Sequence, residues 1–288
     1  MSDVAVGLPR RFAALVKLEH TIFALPFAYV GMSLALGEIP AAADWIWVTV
    51  AMVGARTLAM GLNRLIDAEG DARNPRTASR ELPSGTLSRG QVVGLCALAF
   101  TVFLLAVTQL DPLVRWLWPV PVMLFVVYPY LKRVTWLCHQ WLGVSLGLAP
   151  VGAWAAVTGE VPWQAWALGG AVALWVAGFD LFYSLFDLEH DRAEGLHSWA
   201  VRWSERGVFL GARLHHVGTV SLLVLAGSGL DVGLAYWLGV VAVAGLLLYE
   251  HSLIRPGDLR RLDAAFFTVN GLISIVFLGF VVADVLLR

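Results

Sequence analysis

Long apolar runs separated by short polar ones set the pattern of this chain. A helix needs about 20 mostly apolar residues to cross a bilayer. Nine runs meet that length, at roughly 14–36, 43–66, 90–110, 113–130, 138–158, 164–184, 207–229, 232–252 and 264–286. A tight turn at Asp111–Pro112 is all that parts the third run from the fourth. None of them alternates as the strands of a membrane barrel do. The pattern predicts an all-α, polytopic membrane protein, a single domain over residues 1–288 with about nine transmembrane helices. The first run lacks the small-residue cleavage site of a secretory signal and is predicted to be a retained span.

Composition agrees with this reading. Hydrophobic residues make up 59% of the 288 residues and charged residues 14%, whereas a soluble domain carries about 25% charge. The net charge of −1 gives no field for nucleic acid. Cys96 and Cys138 sit in or beside apolar runs and read as small packing residues. With nine spans the connections alternate sides. Every lysine and arginine except Arg56, Arg115 and Arg288 then falls on one side, which the positive-inside rule places in the cytoplasm together with the N-terminus. Tryptophans such as Trp45, Trp116, Trp163 and Trp237 fall near the opposite ends, where interfacial anchoring explains them.

Two acid clusters break the apolar pattern at the basic side. Asn63, Asp67 and Asp71 are spaced by four, so a helix puts them on one face. After the sixth run Asp187 and Asp191 repeat that spacing, with Asp180 about two turns earlier. Like charges at this spacing repel, and a helix leaving a membrane adds a desolvation cost. One such pair fits a solvated loop; two matched pairs point to a bound cation. Carboxylate and amide oxygens suit magnesium, which is typically held by one or two carboxylates plus substrate phosphates. Arg64, Arg73, Arg76 and Arg80 interleave with the first cluster, and Lys132 and Arg133 lie in the next basic loop, where they can neutralise phosphate oxygens.

These residues resemble the UbiA-type intramembrane aromatic prenyltransferases. The first motif of that family looks like N-x-x-x-D-x-x-x-D, here Asn63, Asp67 and Asp71, and the second like D-x-x-x-D, here Asp187 and Asp191. The strings "HTIFALPFAY", "ARTLAMGLNRLID", "NPRTASRELPSG", "YPYLKR" and "FDLFYSLFDLEHDRAEGLHS" resemble the 4-hydroxybenzoate polyprenyltransferase-like branch, and the likeness covers nearly the whole chain. Some branches carry a lysine three residues before the second motif; here that position is Ser184. The resemblance implies helices around a central cavity, capped by cytoplasmic loops. It implies that Asn63, Asp67, Asp71, Asp187 and Asp191 bind Mg2+ and a polyprenyl diphosphate, with Lys132 contacting the diphosphate. Arg56, two turns deeper than Asn63, is similar to an arginine thought to meet the carboxylate of an aromatic acid acceptor.

The expected chemistry follows. Metal and basic groups neutralise the leaving diphosphate, and an apolar cavity shields the allylic cation from water. The ring carbon ortho to a phenol hydroxyl then attacks. An arginine within a span is a functional candidate by default, although a pairing with Glu19 would explain Arg56 structurally. Glu19 and His20 could orient the phenol or snorkel to the interface. Asp180 reads as a supporting partner or a third acid beside the metal. Tyr128 and Tyr183 read as pocket or interface residues. The leading expectation is transfer to a 4-hydroxybenzoate-like acid in ubiquinone biosynthesis, in a bacterial-type plasma membrane. Alternatives are a hydroxynaphthoate acceptor in menaquinone biosynthesis, a secondary transporter, which would carry its acids near the midplane, and a membrane scaffold.

Overall fold

The computed structural model describes residues 7–16, 23–255, 257 and 268–288, and among these it is a bundle of α-helices. In chain order the helices are α1 (Leu8–Val16), α2 (Leu25–Leu36), α3 (Ala42–Arg73), α4 (Arg89–Thr108), α5 (Val114–Leu117), α6 (Pro119–Leu131), α7 (Cys138–Thr158) and α8 (Trp163–Tyr183). A 3-10 turn at Ser184–Asp187 leads into α9 (Leu188–Ala193), followed by α10 (Trp199–Ser228), α11 (Leu234–Leu253) and α12 (Asn270–Leu287). Among the described residues eight segments are long and apolar enough to cross a membrane, with α5 and α6 together forming one of them.

The expected first span is not one helix. α1 ends at Val16, and the described chain resumes in a turn at Phe23 and Ala24 before α2, which is 12 residues long. Pro26 stands in the first turn of α2, where its missing N–H and fixed φ suit a helix start better than a helix interior. Glu19 and His20 lie outside the described residues. The other departure concerns α3, which outruns its apolar stretch. Alanine, glutamate and arginine carry the helix through Asp67 and Asp71 to Arg73. It stops at Asn74, whose ψ of 118° is the extended conformation favoured before a proline, here Pro75.

α8 is the most enclosed span and packs between α7 and α10. Small residues allow that approach. A Cβ on Gly143 of α7 would collide with the carbonyl oxygen of Ala173, and one on Gly147 would stand 2.5 Å from that of Gly169. Such small residues let helix backbones touch in a membrane. α3 lies against α4 and α6, and α2 bridges α7 and α12.

Hydrogen bonds tie the basic connections together at one end of the bundle. Arg11 Nη1 donates to the carbonyl of Thr86 (3.0 Å), Arg73 Nε to Glu194 Oε2 (2.9 Å), and the His197 N–H to the carbonyl of Lys132 (2.6 Å). The opposite connections meet each other instead: the Asp111 N–H reaches the Ala156 carbonyl (3.1 Å) and the Gly233 N–H reaches Asp284 Oδ2 (3.0 Å). The alternation of sides expected from the charges is therefore the alternation in the fold.

Candidate active site

Both acid clusters come to the basic end. The last three turns of α3 carry Asn63, Asp67 and Asp71; the turn after α8 and α9 carry Asp187 and Asp191. Asp67, Asp71 and Asp191 are buried, which is unusual for charged residues without partners. Arginines from other segments supply partners for three of the four aspartates. Arg133 Nη2 stands 3.2 Å from Asp67 Oδ1. One nitrogen of Arg80 lies 2.8 Å from both oxygens of Asp71.

Arg76 forks onto Asp187, with Nε donating at 2.8 Å to Oδ1 and Nη2 donating to Oδ2. Its third nitrogen, Nη1, donates to the Tyr183 hydroxyl at 2.8 Å, and the guanidinium lies over the Tyr183 ring. Asn74 adds a further hydrogen bond to Asp187 Oδ1 at 3.0 Å. Burial alone would lower the Arg76 guanidinium, but its hydrogen bond and attraction to Asp187 outweigh that and raise it above the ordinary arginine value. The loop after α3 thus closes over the end of α8, joining the two motifs.

Two spaces adjoin these groups. The outer one, about 430 Å³, is polar and is lined by Asp67, Asp71, Arg73, Asn74, Lys132, Arg133 and His190 among others. Lys132 forms no ion pair with a described residue, yet it is close enough to Asp67, Asp187 and Asp191 to act on all three charges. The inner one is an apolar cavity of about 620 Å³. Its polar head is made by Asn63, Arg64, Arg80, Tyr128, Asp180 and Tyr183, with Arg56 further along α3. From there it runs past Phe103, Leu110 and Trp118 to Trp166 near the opposite end. Asn63 donates its amide N–H to Asp67 Oδ2 (3.2 Å), which leaves its amide oxygen for another partner.

The donor set suits magnesium in kind: hard carboxylate and amide oxygens at the rim of an open space. No three of the described acids, histidines or cysteines converge closely enough to enclose an ion on their own. The residues therefore fit an ion completed by water and substrate phosphate, not a closed structural site.

Most of the sequence-derived residues meet at this end, although their partners were not foreseen. Arg76 and Arg80, expected to face phosphate, hold Asp187 and Asp71. Arg73 pairs with Glu194 at the rim. Arg64 turns inward, only 4% exposed, and its Nε has no hydrogen-bond partner among the described residues. Among the described residues Asp180 pairs with no arginine; its Oδ2 lies 2.7 Å from Nδ1 of His139, a residue that the sequence reading passed over. A histidine at the second position of a span was the available signal.

Comparison with known proteins gives a consistent set of relatives. The sequence pattern of the UbiA prenyltransferase family matches residues 24–272. The chain is 30% identical over 280 residues to a 4-hydroxybenzoate octaprenyltransferase of Vibrio campbellii, covering 96% of this chain and 94% of that protein. It is 30% identical over 258 residues to another from Nitrosospira multiformis, covering 90% and 88%. Among solved structures, the apo structure of a UbiA homologue from Aeropyrum pernix superposes with a TM-score of 0.83 at 30% identity, over 92% of this chain and 98% of that one. A homologue from Archaeoglobus fulgidus bound to DMAPP and Mg2+ shares the fold, with a TM-score of 0.75 at 17% identity over 96% and 100% of the two chains.

Proposed function

Because the chain belongs to the UbiA prenyltransferase family, we propose that it joins a polyprenyl group from polyprenyl diphosphate to a 4-hydroxybenzoate-like acid, a step of ubiquinone-type quinone biosynthesis. Family membership makes it a membrane-embedded prenyltransferase and removes the transporter and scaffold readings. The observation that carries the finer proposal is that the end of α3 borders both a polar, acid-lined mouth, through Asp67 and Asp71, and an apolar cavity with arginine in its wall, through Asn63 and Arg64. The Vibrio campbellii relative supports the acceptor class by its activity.

In this reading, Asp67, Asp71, Asp187 and Asp191, with the Asn63 amide oxygen, are the groups that would hold Mg2+. When bound, the ion supplies positive charge that neutralises the leaving diphosphate. Lys132 adds charge at the same mouth, and the surplus N–H groups of Arg76 and Arg80 are within the same loop. The prenyl tail lies along the apolar cavity, where the scarcity of water protects an allylic cation from capture. Arg56 takes the acceptor carboxylate and holds the phenol ring below the mouth. Tyr183, fixed by Arg76, lines the polar head of the cavity. The excess of basic residues at this end supports a mouth that opens to the cytoplasm.

One second reading has a specific observation in its favour. A cavity of about 620 Å³ and an arginine that accepts any aromatic carboxylate would also admit a bicyclic hydroxynaphthoate. The deciding experiment offers the purified protein both acids in competition, with magnesium and one polyprenyl diphosphate. Preferential prenylation of the monocyclic acid supports the proposal; preference for the bicyclic acid replaces it with the menaquinone-type reaction.

A further inference from the structure

Joining a prenyl cation to an aromatic ring leaves one ring proton to be removed. In a cavity lined mostly by apolar side chains, a protein group within reach matters. Asp67, Asp71 and Asp187 are each held by an arginine at the mouth. Asp180 is different in place and in partner. It lies on α8 seven residues before Asp187, about 10 Å deeper by helical rise. It lines the apolar cavity, together with Tyr128, Tyr183 and Arg64. Its Oδ2 is 2.7 Å from His139 Nδ1, and both residues are buried.

The backbone N–H of Trp199 points to the other ring nitrogen, His139 Nε2, at 3.4 Å. That nitrogen is then the acceptor, so Nδ1 carries the hydrogen and donates it to Asp180. One carboxylate oxygen is anchored from behind. The other, Oδ1, receives no hydrogen bond from a described residue and is not sealed off. An acid within an apolar wall, oriented by an imidazole and open on the cavity side, has the form of a general base.

We propose that Asp180 is the catalytic base that removes the ring proton, with His139 as the residue that positions it. This assignment rests on the prenyl-transfer reading. The C1–O bond of the donor breaks and its electron pair leaves with diphosphate. The ring carbon ortho to the hydroxyl supplies the pair for the new C–C bond to C1. The C–H bond at that carbon then breaks, its pair restores the aromatic ring, and the proton passes to Asp180 Oδ1. Water at the mouth takes that proton after the product leaves.

The test uses the full-length protein with magnesium, donor and an aromatic acid, and reads three quantities. These are prenylated product, scrambling of a heavy-oxygen label from the bridging position of the donor, and the rate with ring-deuterated acceptor. Label scrambling reports ionisation alone. Asp180→Asn should lower product formation by about 100-fold or more, the usual contribution of a general base, while scrambling persists. His139→Ala should lower it by about tenfold and reveal a deuterium isotope effect absent from the wild type, and His139→Asn, which keeps an N–H near the Nδ1 position, should recover most of the rate. Product from Asp180→Asn near the wild-type level would overturn the proposal and leave the diphosphate as the base. Loss of scrambling in step with product would also overturn it, by making Asp180 a donor-binding group. If Asp180→Asn fails to fold, the isotope effect in His139→Ala decides, and its absence is a refutation. A wild-type protein that makes no prenylated acid would instead overturn the prenyl-transfer reading, before any variant is compared.

Discussion

Arg76→Lys is the most informative single change at the mouth. Arg76 joins the loop after α3 to both Asp187 and Tyr183 through three nitrogens. Lysine keeps the charge but lacks the planar fork, so at best one contact to Asp187 survives and the Tyr183 hydroxyl loses its donor. Charge-assisted hydrogen bonds contribute about 1.5–3 kcal/mol when well buried. The Arg76 side chain is 33% exposed and that of Asp187 20%, so solvent reduces this to a net loss of about 1–2 kcal/mol. At about 1.4 kcal/mol per decade, kcat/KM for the diphosphate donor should fall roughly 5- to 30-fold. The deficit should be flat in pH. A group whose folded value is raised contributes fully below its unfolded value and loses that contribution as pH rises through the folded one; for this arginine that loss begins only above the ordinary arginine range. The assay is steady-state prenyl transfer by the detergent-purified variant between about pH 6 and 9, alongside its melting temperature. A kcat/KM within twofold of wild type would refute the argument that Arg76 positions the second motif. So would a large melting shift that accounts for the whole loss.

Three further outcomes follow from the same geometry. Asp67→Asn and Asp187→Asn should each lower product formation at least about 100-fold while remaining folded by thermal melting, because each removes a negative charge proposed to hold the metal; full activity in either would remove that residue from the mechanism. Arg56→Ala should raise KM for the acceptor by about 10- to 100-fold, the worth of a charge-assisted pair, with a smaller effect on the donor; equal effects on both would count against carboxylate recognition. Asn270→Ala should leave the Trp175 indole N–H and Glu250 Oε1 without partners, since Asn270 binds them at 2.7 and 3.1 Å. That change should destabilise the bundle by about 2–4 kcal/mol, read as a lower melting temperature with little change in activity per folded molecule.

The spans and both acid motifs were legible because their signals are local. Four-residue spacing puts Asp67 and Asp71 on one face whatever surrounds them, and an apolar run of 20 residues reads as a span before any contact is known. The division of the first span was less visible, although Pro26 carried the information. Pairing across the sequence was not legible. Arg76 and Asp187 are 111 residues apart and His139 and Asp180 are 41 apart, so which base meets which acid depends on the packing of α3, α7 and α8. For the same reason Arg64, read from the sequence as a cation for phosphate beside the first acid cluster, is in fact a buried wall of the cavity.

The central claim is that the acid-lined mouth and the cavity below it carry out one reaction. It is tested most directly by incubating the purified protein with magnesium, octaprenyl diphosphate and 4-hydroxybenzoate and identifying the product by mass and by its aromatic proton spectrum. The account predicts a prenylated acid bonded through the ring carbon ortho to the hydroxyl, one diphosphate released per product, and no product once the metal is chelated. Release of diphosphate without any carbon-linked product, from this acid or from a bicyclic one, would contradict it.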